Sequence, residues 1–369
     1  NNQLTSVKGL EKLPQLAFLN LARNKLTDVK GIEKLTQLKE LRLNSNQLTD
    51  AKGLEKLTQL TWLDLRYNPA LTKYNGKPLP FPERKVQFAK RGNLMASPWK
   101  MRKVGASGIW MSELWQHLPK VADELCMLHS LCETNVSHGG ACMKMHTGDE
   151  ALLRPSMGAW VNYGLGSENN NLPGFVTICP TSLHGGSDNF GPAFLPAEFG
   201  GVPLGTPGYP NSLMKDARFE FLDNSFRTRA QQQAQLRYLK RLNEKHLKAS
   251  GPSSDLEARI ASFEMAFRMQ SSVPELTDIS KEPKNILEMY GPEVNKPGSY
   301  ARNCLLARRM AEKNVRFVQL FHRGWDHHTN LPVHMRGQCR DVDQPTAALL
   351  KDLKMRGLLE DTLVVFAGE

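Results

Sequence analysis

The chain has 369 residues, 40% of them hydrophobic and 23% charged, which is close to the globular average and enough material for two or three domains with real cores. That excludes a disulfide-stapled mini-protein and a chain disordered throughout, and the lack of any run of about 18 apolar residues excludes a membrane-spanning helix. Lys and Arg outnumber Asp and Glu by 48 to 37, and residues 1–77 alone hold 13 basic and 7 acidic residues, so about half of the net +11 falls in the first fifth.

Residues 4–25, 26–47 and 48–69 align at a period of 22, as LTSVKGLEKLPQLAFLNLARNK, LTDVKGIEKLTQLKELRLNSNQ and LTDAKGLEKLTQLTWLDLRYNP. The pattern resembles the leucine-rich repeat, in which a short LxxLxL strand is followed by an Asn that closes a turn. Leu38, Leu41 and Leu43 point into a coil that one repeat cannot bury alone, so each repeat needs neighbours. Asn24, Asn46 and Asn68 take the turn position, where an amide can satisfy buried backbone groups along a ladder. The lysines recur at equivalent positions, the pattern of a solvated face. A nucleic-acid groove needs clustered cations with aromatic partners, so no nucleic-acid partner is expected. The strand face carries Ala17, Phe18, Asn20, Lys39, Glu40, Arg42, Thr61, Trp62 and Asp64; Trp62 is either an interface anchor or a cover for the junction with the next domain. No polar cap precedes the first repeat, so residue 1 is not expected to be a natural N-terminus.

After Asn68-Pro69 the period stops, and Gly76 to Pro82 reads as an extended, proline-rich linker. The expected domains are repeats over 1–72 and a larger α/β domain over 73–369 with a helical insert over about 225–298. Val121 to Leu131 reads as a helix end running into a short apolar segment, and Gly174 to Cys179 as a buried strand. Two polar loops carry His138-Gly139-Gly140 and His184-Gly185-Gly186. Ser156 reads as a helix cap, and with no GxSxG elbow no nucleophile is named. In the insert, Thr228 to Lys248 has Leu236, Leu239, Leu242 and Leu247 at helical spacing; Ser254-Asp255-Leu256-Glu257 opens a second helix with Ile260, Phe263 and Phe267 on one face. The pair is expected to cover one side of the core or to cap a cleft, with His246 on the surface. Six cysteines, Cys126, Cys132, Cys142, Cys179, Cys304 and Cys339, contain no CxxC pair and form no disulfide framework.

Ser299 caps a helix running through Lys313, Val315 to Phe321 is a strand, and a loop follows, His322-Arg323-Gly324-Trp325-Asp326-His327-His328. Thr346 to Arg356 reads as a helix stopped by Gly357, and Thr362 to Ala367 as a second strand ending in Gly368-Glu369. Strand, helix, strand implies a right-handed crossover and parallel pairing. Ligands bind beyond the carboxyl ends of such strands, which groups Asp326, His327, His328 and Glu369 on one edge. Asp, His and Glu there are donors for Zn, Mn or Mg. Asp326 and His328, two apart in an extended loop, can face one side with His327 turned away; the alternative is a loop whose Trp325 packs and whose histidines only hydrogen-bond.

The blocks SPWKMRKVGASGIWMSELWQHLPKVADELCMLHSL, HTGDEALLRPSMGAWVNYGLGSENNNLPGFVTICP, RFVQLFHRGWDHH and DVDQPTAALLKDLKMRGLLEDTLVVFAGE resemble the bacterial domain-of-unknown-function family 1501, over about residues 74–369. The resemblance implies an alkaline-phosphatase-like, sulfatase-like domain with helices flanking a mostly parallel sheet. It also implies a hydrolase ancestry with a divalent metal (Zn, Mn, Mg or Ca) and phosphate or sulfate esters as substrates. Asp326 and His328 match the GWDxH ligands and Glu369 the acidic residue of GEFGRT. His138 falls where the family has a histidine, either a ligand or a buried hydrogen-bonding group. Arg323 and His327 are candidates for holding the ester, with a structural salt bridge as the other role for Arg323. The first-strand GGPSHxDxFD-like motif and the FGRT continuation are missing, so a domain incomplete at both ends with little or no hydrolase activity is expected. The alternatives are a non-catalytic binding or scaffold protein, taking a protein or an anionic polysaccharide as partner, and a fusion whose halves share no joint function. Family members carry an export signal, so a periplasmic or exported origin goes with the resemblance; no membrane association is expected.

Overall fold

In the computed structural model, three short strands, β1 (Phe18–Asn20), β2 (Glu40–Arg42) and β3 (Trp62–Asp64), occupy equivalent positions of the 22-residue repeat and pair in parallel in that order. The register Leu19↔Leu41↔Leu63 sends one leucine per strand inward; Leu26, Leu35, Leu38, Leu41, Leu43 and Leu48 are fully buried there. Opposite the strands, each repeat makes a short 3-10 turn, Leu10–Lys12, Ile32–Lys34 and Leu54–Lys56. Each turn is entered through a glycine in the left-handed region, φ 100° at Gly31, where a side chain is costly. Glu33 Oε2 accepts the Gly31 N–H at 2.6 Å, and Glu55 does the same for Gly53 at 2.7 Å.

The asparagines knit neighbouring repeats together. Asn46 Oδ1 accepts from Leu26 N at 3.0 Å and its Nδ2 donates to Leu21 O and Leu43 O, each at 2.9 Å; Asn68 repeats the pattern one unit on, with Leu48 N, Leu43 O and Leu65 O. On the outer face Phe18, Glu40 and Trp62 form one row, with the two aromatics 48% and 41% exposed. A short helix, α1 (Pro69–Lys73), follows. Tyr74 Oη donates to Asp50 Oδ1 at 2.7 Å, and that bond holds the Asp50 carboxyl far below its usual range.

The chain forms two compact units, residues 1–100 and 101–369. The structure describes residues 2–60, 62–65, 68–78, 93–128, 131, 135, 137–205, 226–251 and 254–368. In the second unit a hairpin, β4 (Met101–Val104) and β5 (Ile109–Ser112), is followed by α2 (His138–Thr147), α3 (Met157–Leu165), β6 (Phe175–Ile178) and β7 (Val202–Leu204). Then come α4 (Arg229–Ser250), α5 (Ser254–Thr277), α6 (Lys284–Tyr290), α7 (Tyr300–Glu312), β8 (Phe317–Leu320) and α8 (Leu331–Met355). The sheet is parallel, in the order β7-β6-β8, so the fold is mixed α/β.

β6 is buried on both faces, as a central parallel strand must be. Val176 and Ile178 pack with Met269, Val273 and Leu276 of α5 and with Leu306 and Met310 of α7. The α4–α5 pair is therefore more than a cover, because α5 builds the core while α4 stays mostly exposed. On the other face the Phe175 ring stacks edge-on to Phe317 at 5.0 Å, and a Cβ at Gly158 of α3 would come within 2.5 Å of Phe175. Arg308 of α7 is buried and pairs with Glu282 at 2.7 Å, Glu312 at 2.6 Å and Asp352 at 2.9 Å.

Two expectations are corrected. Thr362–Ala367 forms no strand: Leu363, Val365 and Phe366 are exposed, and only Val364 packs, against the α7–α8 core. An apolar run states what favours burial without naming the edge that receives it. The last helix starts at Leu331, not Thr346, and passes through Pro345. That proline forfeits one helical hydrogen bond. Tertiary bonds hold the neighbouring turn instead, with Asp343 accepting the N–H groups of Gln116, His117 and Leu118 at 2.6, 2.8 and 2.8 Å.

Candidate functional site

β6 leads to β7 on one side and pairs with β8 on the other, so the space beyond the carboxyl ends of β6 and β8 is a topological switch point, the place where open α/β sheets take ligands. Both strands end in irregular, anchored segments. Cys179 turns to φ 59° directly after β6; its Sγ accepts from Asn303 Nδ2 of α7 at 3.2 Å, and burial pushes the thiol up to about 11. Arg323 Nη2, from the loop after β8, donates to Cys179 O at 3.0 Å and Pro180 O at 2.6 Å, tying the two loops together.

The loop after β8 is pinned from several directions. Trp325 Nε1 donates to His322 Nδ1 at 2.9 Å, which leaves the His322 proton on Nε2 to be donated to Asp341 Oδ2 of α8 at 2.7 Å. Gln338 Nε2 donates to Gly324 O at 2.8 Å. Gly324 has φ 84°, and a Cβ there would meet Gln338 at 2.6 Å, so only glycine fits. These restraints present Asp326 and His328 outward.

Asp326 Oδ2 receives two imidazoles, His328 Nε2 at 2.8 Å and His138 Nε2, the first residue of α2, at 2.9 Å. An ionised carboxylate only accepts, so both Nε2 atoms carry their protons. Partial burial pushes the Asp326 carboxyl up, but the two hydrogen bonds and the histidine charges outweigh it, and the group stays below its usual range. The three side chains are each 42 to 71% exposed, so solvent reaches the trio.

The His184 ring, on the loop after β6, stands edge-on to His138 with centroids 5.1 Å apart. His327 turns away and stacks on His334 of α8 at 5.3 Å; its Nε2 is buried without a hydrogen-bond partner among the described residues. Deeper, His146 of α2 accepts from Gln319 Nε2 of β8 at 2.9 Å, and burial pulls it down to about 4.

Of the residues singled out in the sequence, Asp326, His328 and His138 come together. Arg323 supports the loops from behind, His327 faces α8, and Glu369 lies outside the described residues. With Thr362–Ala367 unpaired, the second strand expected after α8 is absent among the described residues. His184 had one signal, the second His-Gly-Gly, which does not by itself place it beside His138. Two imidazoles and a carboxylate are donors for a divalent transition ion. Among the described residues, however, no three such groups surround one point, because Asp326 sits between the histidines.

No curated protein matches the chain. Residues 63–369 match the model of a family described as Protein of unknown function (DUF1501). The match begins within β3 and takes in the whole second unit with its histidine–aspartate trio, and the chain belongs to that family.

Proposed function

We propose that the chain is a relative of metal-dependent phosphate and sulfate ester hydrolases of the alkaline-phosphatase-like superfamily, with His138, Asp326 and His328 as ligands of a divalent ion, and that residues 1–72 are a leucine-rich-repeat array. The observation that supports it is the shared Asp326 Oδ2, with imidazole N–H groups at 2.8 and 2.9 Å, beyond the carboxyl ends of parallel strands. Donors on one ion at about 2.1 Å lie about 3 to 3.4 Å apart. Each imidazole–carboxylate pair is already close to that spacing, and a shared ion would need the two histidines to swing about Asp326 onto one side of it. This donor set suits Zn or Mn, whereas Mg and Ca favour oxygen shells. A bound ion supplies Lewis acidity to a phosphoryl or sulfuryl oxygen. Three partly exposed donors hold it reversibly, so this polypeptide is expected to show little or no ester hydrolysis by itself.

Equilibrium dialysis against Zn and Mn, followed by elemental analysis, tests the reading. The full chain is expected to take up one ion that a chelator removes, and Asp326→Asn to take up none. No uptake by the unsubstituted chain, or equal uptake by Asp326→Asn, overturns it. A second reading, a non-catalytic binding or scaffold protein, is favoured by the exposed row of Phe18 and Trp62 on the repeat strands. Under that reading the dialysis result is negative.

A further inference from the structure

We propose that the uncovered face of α3 is the seat of an isologous dimer: a second copy of this chain lays its own α3 antiparallel on the first, and each Trp160 ring enters the notch at the other copy's Gly164. The inference is independent of the metal-site reading.

The first argument is the surface itself. α3 packs on the sheet with Gly158, Ala159 and Asn162 buried and turns Met157, Trp160 and Tyr163 outward. With the loop between β6 and β7 it makes an edge-on chain of four rings, Phe194–Trp160–Tyr163–Phe199, at centroid distances of 5.8, 6.1 and 5.2 Å. Met157, Trp160, Tyr163 and Phe194 are 46 to 65% exposed. Half-uncovered residues of this size leave on the order of 500 Å² of apolar surface in water. A standard interface takes about 800 Å² from each partner, about 60% of it apolar. The face therefore holds the apolar content of one whole side of such an interface.

The second argument is composition. Residues 155–167 and 189–197 contain no Asp, Glu, Lys, Arg or His, and their amide side chains, Asn162 and Asn189, are buried. An anionic membrane calls for cations around the rings, and a sugar for polar side chains placed among them. Aromatics and methionine without charge are instead the composition of the centre of a protein–protein interface. A partner chosen by its opposite charge to the +11 chain has nothing to grip here. A second copy brings the same uncharged face.

The third argument is shape. Gly164 is exposed in the last turn of α3, four residues after Trp160, so the two share one side of the helix. A Cβ there would meet nothing within 4 Å, and the backbone is not left-handed. Nothing inside the subunit calls for glycine at a place where it weakens the helix. A two-fold axis at the level of Asn162 sets residue 160 of one copy opposite residue 164 of the other, so the pair forms two identical knob-and-hole contacts.

The test follows the mass of the full chain by sedimentation equilibrium. The unsubstituted chain is expected to dimerise at about 100 µM or below. Gly164→Leu fills the notch where the subunit itself has room for a side chain, and Trp160→Lys sets a charge at the centre of the face. Both are expected to weaken association at least about tenfold, with the thermal midpoint of the dilute chain not lowered. Gly164→Ala, the mildest filling, is expected to raise that midpoint, because alanine favours helix, while still loosening the dimer. A chain that stays monomeric at about 100 µM, or a dimer equally tight in Gly164→Leu and Trp160→Lys, overturns the proposal, and neither result bears on the metal dialysis.

Discussion

Asn46 shows how much one side chain can carry in the repeats. Its amide meets one backbone N–H and two carbonyls from three different strands and turns, all buried. Alanine would leave these groups unmet, at about 1 to 3 kcal/mol for each that water cannot reach. Asn46→Ala is expected to cost the repeat unit about 3 kcal/mol, read from its urea transition in the full chain; a loss under about 1 kcal/mol would show that solvent replaces the amide. This residue was legible in the sequence because the same physical demand recurs every 22 positions. The site residues pose the opposite case. His138 and Asp326 are 188 positions apart, and no local periodicity ties them; only the family resemblance and the strand-end rule brought them to one edge. His184 needed the tertiary fold, since nothing in a His-Gly-Gly loop states which helix it will lie against.

At the scale of elements, the sequence was readable wherever local chemistry and burial agree. Gly174–Cys179 is a strand because an unbroken apolar run fits a strand covered on both faces, and Ser299 starts α7 because its hydroxyl accepts the Arg302 N–H at 3.0 Å. Local signals failed where tertiary bonds decide. Thr346, just after a proline, reads as a helix start, yet α8 runs through Pro345, with bonds such as those of Asp343 to residues 116–118 holding the neighbouring turn. Thr362–Ala367 reads as a strand, yet Leu363 and Val365 are 89% and 71% exposed. That exposure makes a direct prediction. Replacing both by lysine is expected to change the stability of the second unit by no more than about 0.5 kcal/mol, as surface substitutions do. Two charges on a buried parallel strand would instead cost several kcal/mol. A large fall in the urea midpoint of Leu363→Lys/Val365→Lys would therefore restore the strand that the apolar pattern suggests.

At the scale of the whole molecule, the two units differ in what acid does to them, because all ten histidines lie beyond residue 100. His146 is held neutral under α2, burial pulling it from 6.5 to about 4. The unfolded chain thus takes up this proton first as pH falls. The stabilisation is complete above about pH 6.5 and is lost progressively towards pH 4, with about 2 kcal/mol gone by pH 5. Glu282 behaves differently. Burial pushes its carboxyl up, but Arg308 and Arg309 together outweigh that and hold it low, so its contribution disappears only below its ordinary value of 4.5. Asp326, also held low, stays ionised throughout the window between pH 6.5 and 5. A slope in that window is therefore expected in the second unit, with the buried His146 contributing to it. His146→Gln keeps an acceptor for Gln319 and removes the titration. Urea unfolding at pH 7, 6 and 5 is expected to show the second unit weakening in the unsubstituted chain, the slope flattened in His146→Gln, and the repeat unit unchanged in both. Equal slopes in the two proteins, or a repeat unit that weakens in step, would place the acid sensitivity somewhere other than beneath α2.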